Sequence, residues 1–72
     1  MTTEECFEAA EQVEHLMRAV YVGLAVRYAG EPTKKEIFQG LADEEEQHAQ
    51  RIRLLARQDV RHKELVEAAL AS

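Results

Sequence analysis

The chain has 72 residues, which allows one small domain, and its formal net charge of −5 argues against nucleic acid or an anionic membrane surface as a partner. The single cysteine, Cys6, excludes an internal disulfide and a Cys-x-x-Cys iron site, so a reducing cytoplasm is the expected compartment. The acidic N-terminus predicts no signal peptide. No apolar run is long enough to cross a bilayer comfortably.

The first predicted element is a long helix. Thr2 and Glu5 have the spacing of a capping box, so helix 1 is expected over about residues 3–29. Gly30 then offers a C-terminal stop. No strand-like alternation of useful length occurs anywhere in the sequence, so the predicted fold class is all-α.

A second helix follows the turn. Thr33 and Glu36 repeat the capping-box spacing directly after the only proline, which predicts helix 2 over about residues 34–57. Beyond it, Asp59 either caps a short third helix over about residues 60–71, or helix 2 simply continues. We therefore expect one domain, an antiparallel two-helix hairpin with a short C-terminal helix.

Each predicted helix carries an apolar stripe that polar residues interrupt. The stripes step by three and four residues, so the members of each share one helix face. Glu14 interrupts the first stripe, and Glu45 and His48 interrupt the second. The stripes are Phe7, Ala10, Glu14, Met17, Tyr21, Leu24 and Tyr28 on helix 1, and Phe38, Leu41, Glu45, His48, Ile52 and Leu55 on helix 2.

The interruptions fall at the same height of the predicted hairpin. If the chain folds back at Glu31, Glu14 faces His48 and Met17 faces Glu45, so the three polar residues gather within about one helical turn, roughly 5 Å. A buried carboxylate without a partner costs several kcal/mol. The alternatives for Glu14 are a metal ion or pairing with an arginine such as Arg18 or Arg51.

The three residues form half of a known ligand set. Glu45 and His48 spell Glu-x-x-His, and with Glu14 one hairpin supplies two carboxylates and one imidazole. Two hairpins supply four carboxylates and two imidazoles, the set that binds two iron or manganese ions in four-helix bundles. Carboxylate oxygen with imidazole nitrogen suits iron or manganese. We therefore expect Glu14, Glu45 and His48 to be metal ligands, with two iron ions, or manganese or another divalent metal, per dimer.

The remaining apolar positions indicate self-association. A two-helix hairpin buries only one apolar face, and this chain has more than one. We therefore expect a homodimer or a higher even oligomer built as a four-helix bundle. The extra positions form a second apolar strip on helix 1, Leu16, Ala19, Gly23 and Val26. On helix 2, the small residues Ala42, Ala49 and Ala56 recur every seven residues beside the stripe, which lets another helix approach closely.

The residues around the motif resemble a known family. They are similar to the F-x-x-L-A-x-E-E-x-x-H-A run of rubrerythrins and other ferritin-like proteins, and with one helical pair the chain looks like the encapsulated ferritins. This resemblance implies that Glu45 is a bridging carboxylate, Glu14 a bridging or terminal one, and His48 a terminal ligand. The resembling residues are Phe38, Leu41, Ala42, Glu44, Glu45, His48 and Ala49.

The resemblance also implies an activity. It predicts a ferroxidase-type oxidoreductase that oxidises Fe(II) with oxygen or peroxide at a site across a subunit interface. One alternative is rubrerythrin-like peroxide reduction, although the chain lacks the rubredoxin cysteines. Another is a non-enzymatic helical module whose polar residues fix the register. An encapsulin shell is a further partner to consider, but residues 65–72 do not resemble the cargo tag of encapsulated ferritins.

Four other residues are weaker candidates. Glu11 is expected to be a solvated flank, with an outer-shell group or an entry-site ligand as alternatives, and His15 is expected to lie on the surface. Tyr21 is first a core aromatic, roughly 10 Å along the axis from the expected site. His62 is in phase with the second stripe but about four turns away, roughly 20 Å.

Overall fold

The computed structural model describes residues 1–71 and shows an antiparallel hairpin of two α-helices. Helix α1 spans Thr3–Arg27 and helix α2 spans Pro32–Ala71, and the two pack along each other. No strand occurs among the described residues, so the predicted all-α class and the hairpin are confirmed. The molecule measures 63 × 19 × 9 Å, which makes it a single layer of helices.

Helix α1 begins as its sequence predicts. The Glu5 backbone N–H donates to Thr2 Oγ1 at 3.1 Å, and the Thr2 N–H lies 3.4 Å from Glu5 Oε1, which completes the capping box. The helix ends at Arg27, two residues earlier than expected. Gly30 does not adopt the left-handed conformation, so the turn does not depend on a glycine there.

Helix α2 begins two residues earlier than predicted, at Pro32. Proline suits the first helical position because its fixed φ fits the helix and its missing N–H has no partner there anyway. The Lys35 N–H donates to the Glu31 carbonyl at 3.0 Å, which forms the first turn. Thr33 therefore lies inside the helix and not at its cap.

Of the two alternatives for the C-terminal part, the short third helix is wrong and the continuing helix 2 is what forms. Helix α2 continues unbroken through Asp59 to Ala71. Its length of 40 residues against 25 for α1 leaves its C-terminal part without an opposing helix. Glu4 and Phe7 share a cleft with Val60, so α1 starts level with that residue. We call residues 60–71 the overhang.

The hairpin has almost no core of its own. Among the described residues, only three small side chains are buried, Ala25 at 4% exposure and Ala42 and Ala49 at 0%. These alanines let the two helices approach closely. Large apolar side chains such as Leu16 and Val26 are exposed. The predicted second apolar strip of helix 1 is therefore open in this structure.

The turn end of the hairpin is fixed by ring contacts. The rings of Tyr28 and Phe38 stack with centroids 5.7 Å apart, and Lys34 Nζ lies 5.0 Å from the centre of the Tyr28 ring. Lys34 also pairs with Glu31 at 3.0 Å. These contacts hold the two apolar stripes at one height near the turn. Within residues 1–71, neither helix has a stretch apolar and long enough for a membrane crossing.

Candidate metal centre

The structure brings Glu14, Glu45 and His48 together in the middle of the hairpin. Glu14 lies on α1, while Glu45 and His48 lie one turn apart on α2. Each residue offers one ligand atom, and the three atoms all lie within 4.8 Å of one another. His48 Nδ1 is 3.5 Å from Glu14 Oε2 and 3.7 Å from Glu45 Oε2. We call these three residues the triad.

The three side chains of the triad differ in exposure. The side chains of Glu14 and Glu45 are 23% and 16% exposed, whereas that of His48 is 48% exposed. Both carboxylates thus point into the space between the helices, and the imidazole forms the outer rim. The imidazole is thus the part of the triad most accessible to a further group.

One oxygen of the triad lacks a hydrogen bond. Glu14 Oε2 is buried and has no hydrogen-bond partner among the described residues, although His48 Nδ1 lies 3.5 Å away. A buried polar atom left unsatisfied costs about 1–3 kcal/mol, and more for a charged group. A divalent cation removes this cost because it binds carboxylate oxygens directly. Two carboxylates with one imidazole nitrogen match iron or manganese, so the residues fit such an ion.

The nearby arginines do not satisfy Glu14. Arg18 Nε lies 3.7 Å from Glu46 Oε2, and Arg51 makes no ion pair within residues 1–71. The alternative in which Glu14 pairs with Arg18 or Arg51 is therefore not what the structure shows. Glu14 faces His48 instead, as the predicted hairpin requires.

Glu11 lies one turn before Glu14 and His15 directly follows it, but neither belongs to the triad. Arg53 Nη1 donates to Glu11 Oε1 at 2.8 Å, and His15 Nε2 lies 3.4 Å from the same oxygen. The hydrogen bond from Arg53 holds the pKa of Glu11 below its ordinary value, with His15 adding to the effect. Glu11 is thus neither a ligand-like residue nor a solvated flank, because it is committed to a cation on α2.

The other candidates lie apart from the triad. His62 is exposed on the overhang, Tyr21 is half-buried in the hairpin, and Cys6 is an exposed free thiol. A cleft of about 300 Å³ lies near the N-terminus of α1, between Phe7 and Ile52. No triad residue lines this cleft.

The sequence reasoning missed the role of Arg53. This residue joins Glu11 on α1 to Glu46 on α2, at 2.8 Å and 3.7 Å. The signal was present, because Glu11 and Arg53 face each other in nearly the same register as Glu14 and His48. The register of the apolar stripes therefore extends to the charged residues beside them.

Comparison with known proteins gave no match: no family model fits the sequence, and no curated protein and no solved structure is significantly similar to the chain. The likeness to ferritin-like proteins therefore stays a prediction. It depends on the Glu-x-x-His motif and on the residues around it, which the structure places beside Glu14.

Proposed function

We propose that two copies of this hairpin form a four-helix bundle that binds two divalent metal ions and oxidises Fe(II) with oxygen or peroxide. The observation that carries the proposal is the triad, whose three ligand atoms converge within 4.8 Å around a buried, unsatisfied oxygen of Glu14. Two triads supply four carboxylates and two imidazoles. The four negative charges of the carboxylates balance the four positive charges of two divalent ions.

The lack of a core supports the pairing of two chains. A chain of 72 residues in one helical layer buries too little apolar surface to be stable alone. The triad is open at the His48 rim, and Met17 and Leu55 of the stripes are 37% and 53% exposed. A second hairpin laid across this face covers these side chains and brings its own triad to the first.

Fe(II) is the substrate in this proposal. Two Fe(II) ions lose one electron each, and oxygen gains two electrons and two protons to give hydrogen peroxide; with hydrogen peroxide as oxidant, the product is two water molecules. Glu14 and Glu45 neutralise the positive charge of the ions, and His48 offers a neutral nitrogen. Their fixed places on two helices hold the two ions close enough to act on one oxidant molecule.

The test is aerobic oxidation of Fe(II) by wild type and two glutamate variants at equal protein concentration. Glu45→Ala removes a triad carboxylate and should abolish most oxidation while the helices remain. Glu44→Ala is the matched control, because Glu44 is the exposed neighbour with no ion pair among the described residues. Equal rates in all three proteins would remove the ferroxidase proposal.

The same assay separates the two oxidants. Consumption of oxygen and of hydrogen peroxide is followed per Fe(II) oxidised, with the other oxidant excluded. Faster oxidation with peroxide than with oxygen favours peroxide reduction as the main activity.

One observation favours a second, non-enzymatic function. His48 Nδ1 lies 3.5 Å from Glu14 Oε2 and 3.7 Å from Glu45 Oε2, so the imidazole can link the two carboxylates in a polar network. In that case the triad sets the register of a helical assembly. Metal analysis and solution mass of protein purified without chelators decide between the two: an assembled but metal-free protein that does not take up Fe(II) supports the module.

A further inference from the structure

Four charged side chains form a strip beside the triad. Arg53 Nη1 lies 2.8 Å from Glu11 Oε1, and Arg53 Nη2 lies 3.7 Å from Glu46 Oε1. Arg18 Nε lies 3.7 Å from the other oxygen of Glu46. The strip alternates in sign and crosses between α1 and α2 twice. We call these four residues, Glu11, Arg18, Glu46 and Arg53, the charged clamp.

The clamp brackets the triad along the helix axis. Glu11 lies one turn before Glu14 on α1, and Arg18 lies one turn after it. On α2, Glu46 and Arg53 lie on either side of His48 in the sequence. The two helices are therefore joined by ion pairs just above and just below the level at which Glu14 meets His48.

Single ion pairs on a surface contribute little to stability, because water and salt screen them. Arg53 differs from that case in its geometry. Its planar guanidinium reaches one carboxylate on each helix at once, and lysine cannot reproduce this fork. The hydrogen bond between Arg53 and Glu11 lowers the pKa of Glu11 and raises that of Arg53. Each of the two residues therefore favours the charged form of the other.

We propose that Arg53 is a positioning residue for the triad: by joining Glu11 to Glu46 it keeps α1 in register with α2, so that Glu14 meets Glu45 and His48. Among the described residues, no hydrogen bond of the triad itself joins the two helices to hold this register. Its two carboxylates repel each other, and the buried oxygen of Glu14 receives no hydrogen bond. This inference rests on the proposed function only in that the triad is taken to bind a metal ion.

The sign of the effect on metal affinity separates positioning from simple electrostatics. Loss of a positive charge near a cation site strengthens cation binding, whereas loss of positioning weakens it. Arg51 is the matched control, since it lies on the same helix, closer in sequence to His48, and makes no ion pair among the described residues. Partners that orient metal ligands typically contribute about 10–100-fold to affinity.

The first test is titration of metal-free protein with Mn(II), followed by electron paramagnetic resonance. Arg53→Gln should bind Mn(II) about tenfold or more weakly than wild type, whereas Arg51→Gln should bind it equally or more tightly. Arg53→Lys should fall between, because lysine reaches one carboxylate only. Adding Glu11→Gln to Arg53→Gln should reduce the Mn(II) affinity little further, because both substitutions break the same contact between Arg53 and Glu11. Equal affinities of Arg53→Gln and Arg51→Gln overturn the proposal.

The second test needs no metal. Spin labels replace Gln12 on α1 and Gln50 on α2 in a Cys6→Ser background, and unlabelled chain is added so that only pairs within one chain are measured. The distance distribution should be broader in Arg53→Gln than in Arg51→Gln, and equal widths overturn the proposal. If Arg53→Gln does not fold, Arg53→Lys takes its place, and its distance distribution should again be broader than that of Arg51→Gln. If wild type binds no Mn(II), the proposed function fails, and the widths alone decide the role of Arg53.

Discussion

The two parts of helix α2 have the same secondary structure but different surroundings. Up to Asp59 the helix lies against α1. This part has two fully buried alanines, and within residues 1–71 every ion pair between α2 and α1 lies here. Every residue of the overhang is exposed, including Leu65 at 62% and Leu70 at 83%. Local propensity is thus enough to extend the helix, but only the presence of α1 turns its side chains into a site.

Amide hydrogen exchange should show this difference most strongly. We predict that residues 42–49 exchange slowest, and that residues 60–71 exchange nearly as fast as an isolated helix of that length, which is marginal in water. The rates should differ on the order of a thousandfold, because the first segment opens only when the hairpin opens. Mass spectrometry of peptides on either side of Val60 measures the exchange rates of the two segments. Equal protection in both segments means that another chain covers the overhang in solution.

Metal binding should distinguish the two histidines of α2. We predict that Mn(II), or Fe(II) without oxygen, stabilises the wild type by about 2.7 kcal/mol at a hundredfold excess over the dissociation constant. His48→Ala should lose most of this gain because it removes a triad nitrogen. His62→Ala is the control on the overhang and should retain it. Thermal melts with metal and with chelator measure the effect, and a melt that metal leaves unchanged in the wild type contradicts the prediction.

The buried alanines should tolerate enlargement less than the exposed ones. Ala49 is fully buried between the helices, whereas Ala68 lies exposed on the overhang. We predict that Ala49→Leu destabilises the protein by about 1–3 kcal/mol, because the added carbon atoms push α1 away. Ala68→Leu should change the stability little. Denaturant unfolding of both variants gives the comparison, and a neutral Ala49→Leu argues against close contact of the helices at this point.

The same contrast explains which features the sequence could predict. The spacing of the stripes predicted both helices, the hairpin and the meeting of Glu14 with Glu45 and His48, since helical periodicity and a short turn leave little freedom of register. The end of α2 was harder, because Asp59 has the chemistry of a cap. A cap needs a break in the preceding helix, and no glycine or proline after Gly40 provides one.

The clamp was not predicted for a different physical reason. The apolar stripes mark the face that must be buried, but charges such as Glu11, Glu46 and Arg53 lie at its edge, where sequence alone does not separate a solvated residue from a paired one. The structure does so because Arg53 reaches across to α1. One hairpin contains only half of the proposed ligand set, so the second half, supplied by another chain, stays a prediction.

Acidification should have the smallest effect, and it compares Glu11 in the hairpin with Glu64 on the overhang. The pKa of Glu11 is lowered, mainly by the hydrogen bond from Arg53, so the folded state holds its proton less tightly than the unfolded state does. The stability that follows is fully present above the ordinary glutamate value of 4.5 and is lost as the pH falls through the lowered pKa. The pKa of Arg53 is raised by the same hydrogen bond, so the contribution of Arg53 is lost only at strongly alkaline pH and does not affect the acid side.

We therefore predict that Glu11→Gln is less stable than wild type near neutral pH, and that the two stability curves converge below the lowered pKa of Glu11. Glu64→Gln should follow the wild-type curve throughout, because Glu64 has no ion pair within residues 1–71. Because the pair is partly exposed, salt should reduce the difference at neutral pH. Urea unfolding at a series of pH values, at low and high salt, measures the curves. A constant offset between Glu11→Gln and wild type at all pH values would show that the variant acts through packing and not through the charge that Arg53 holds.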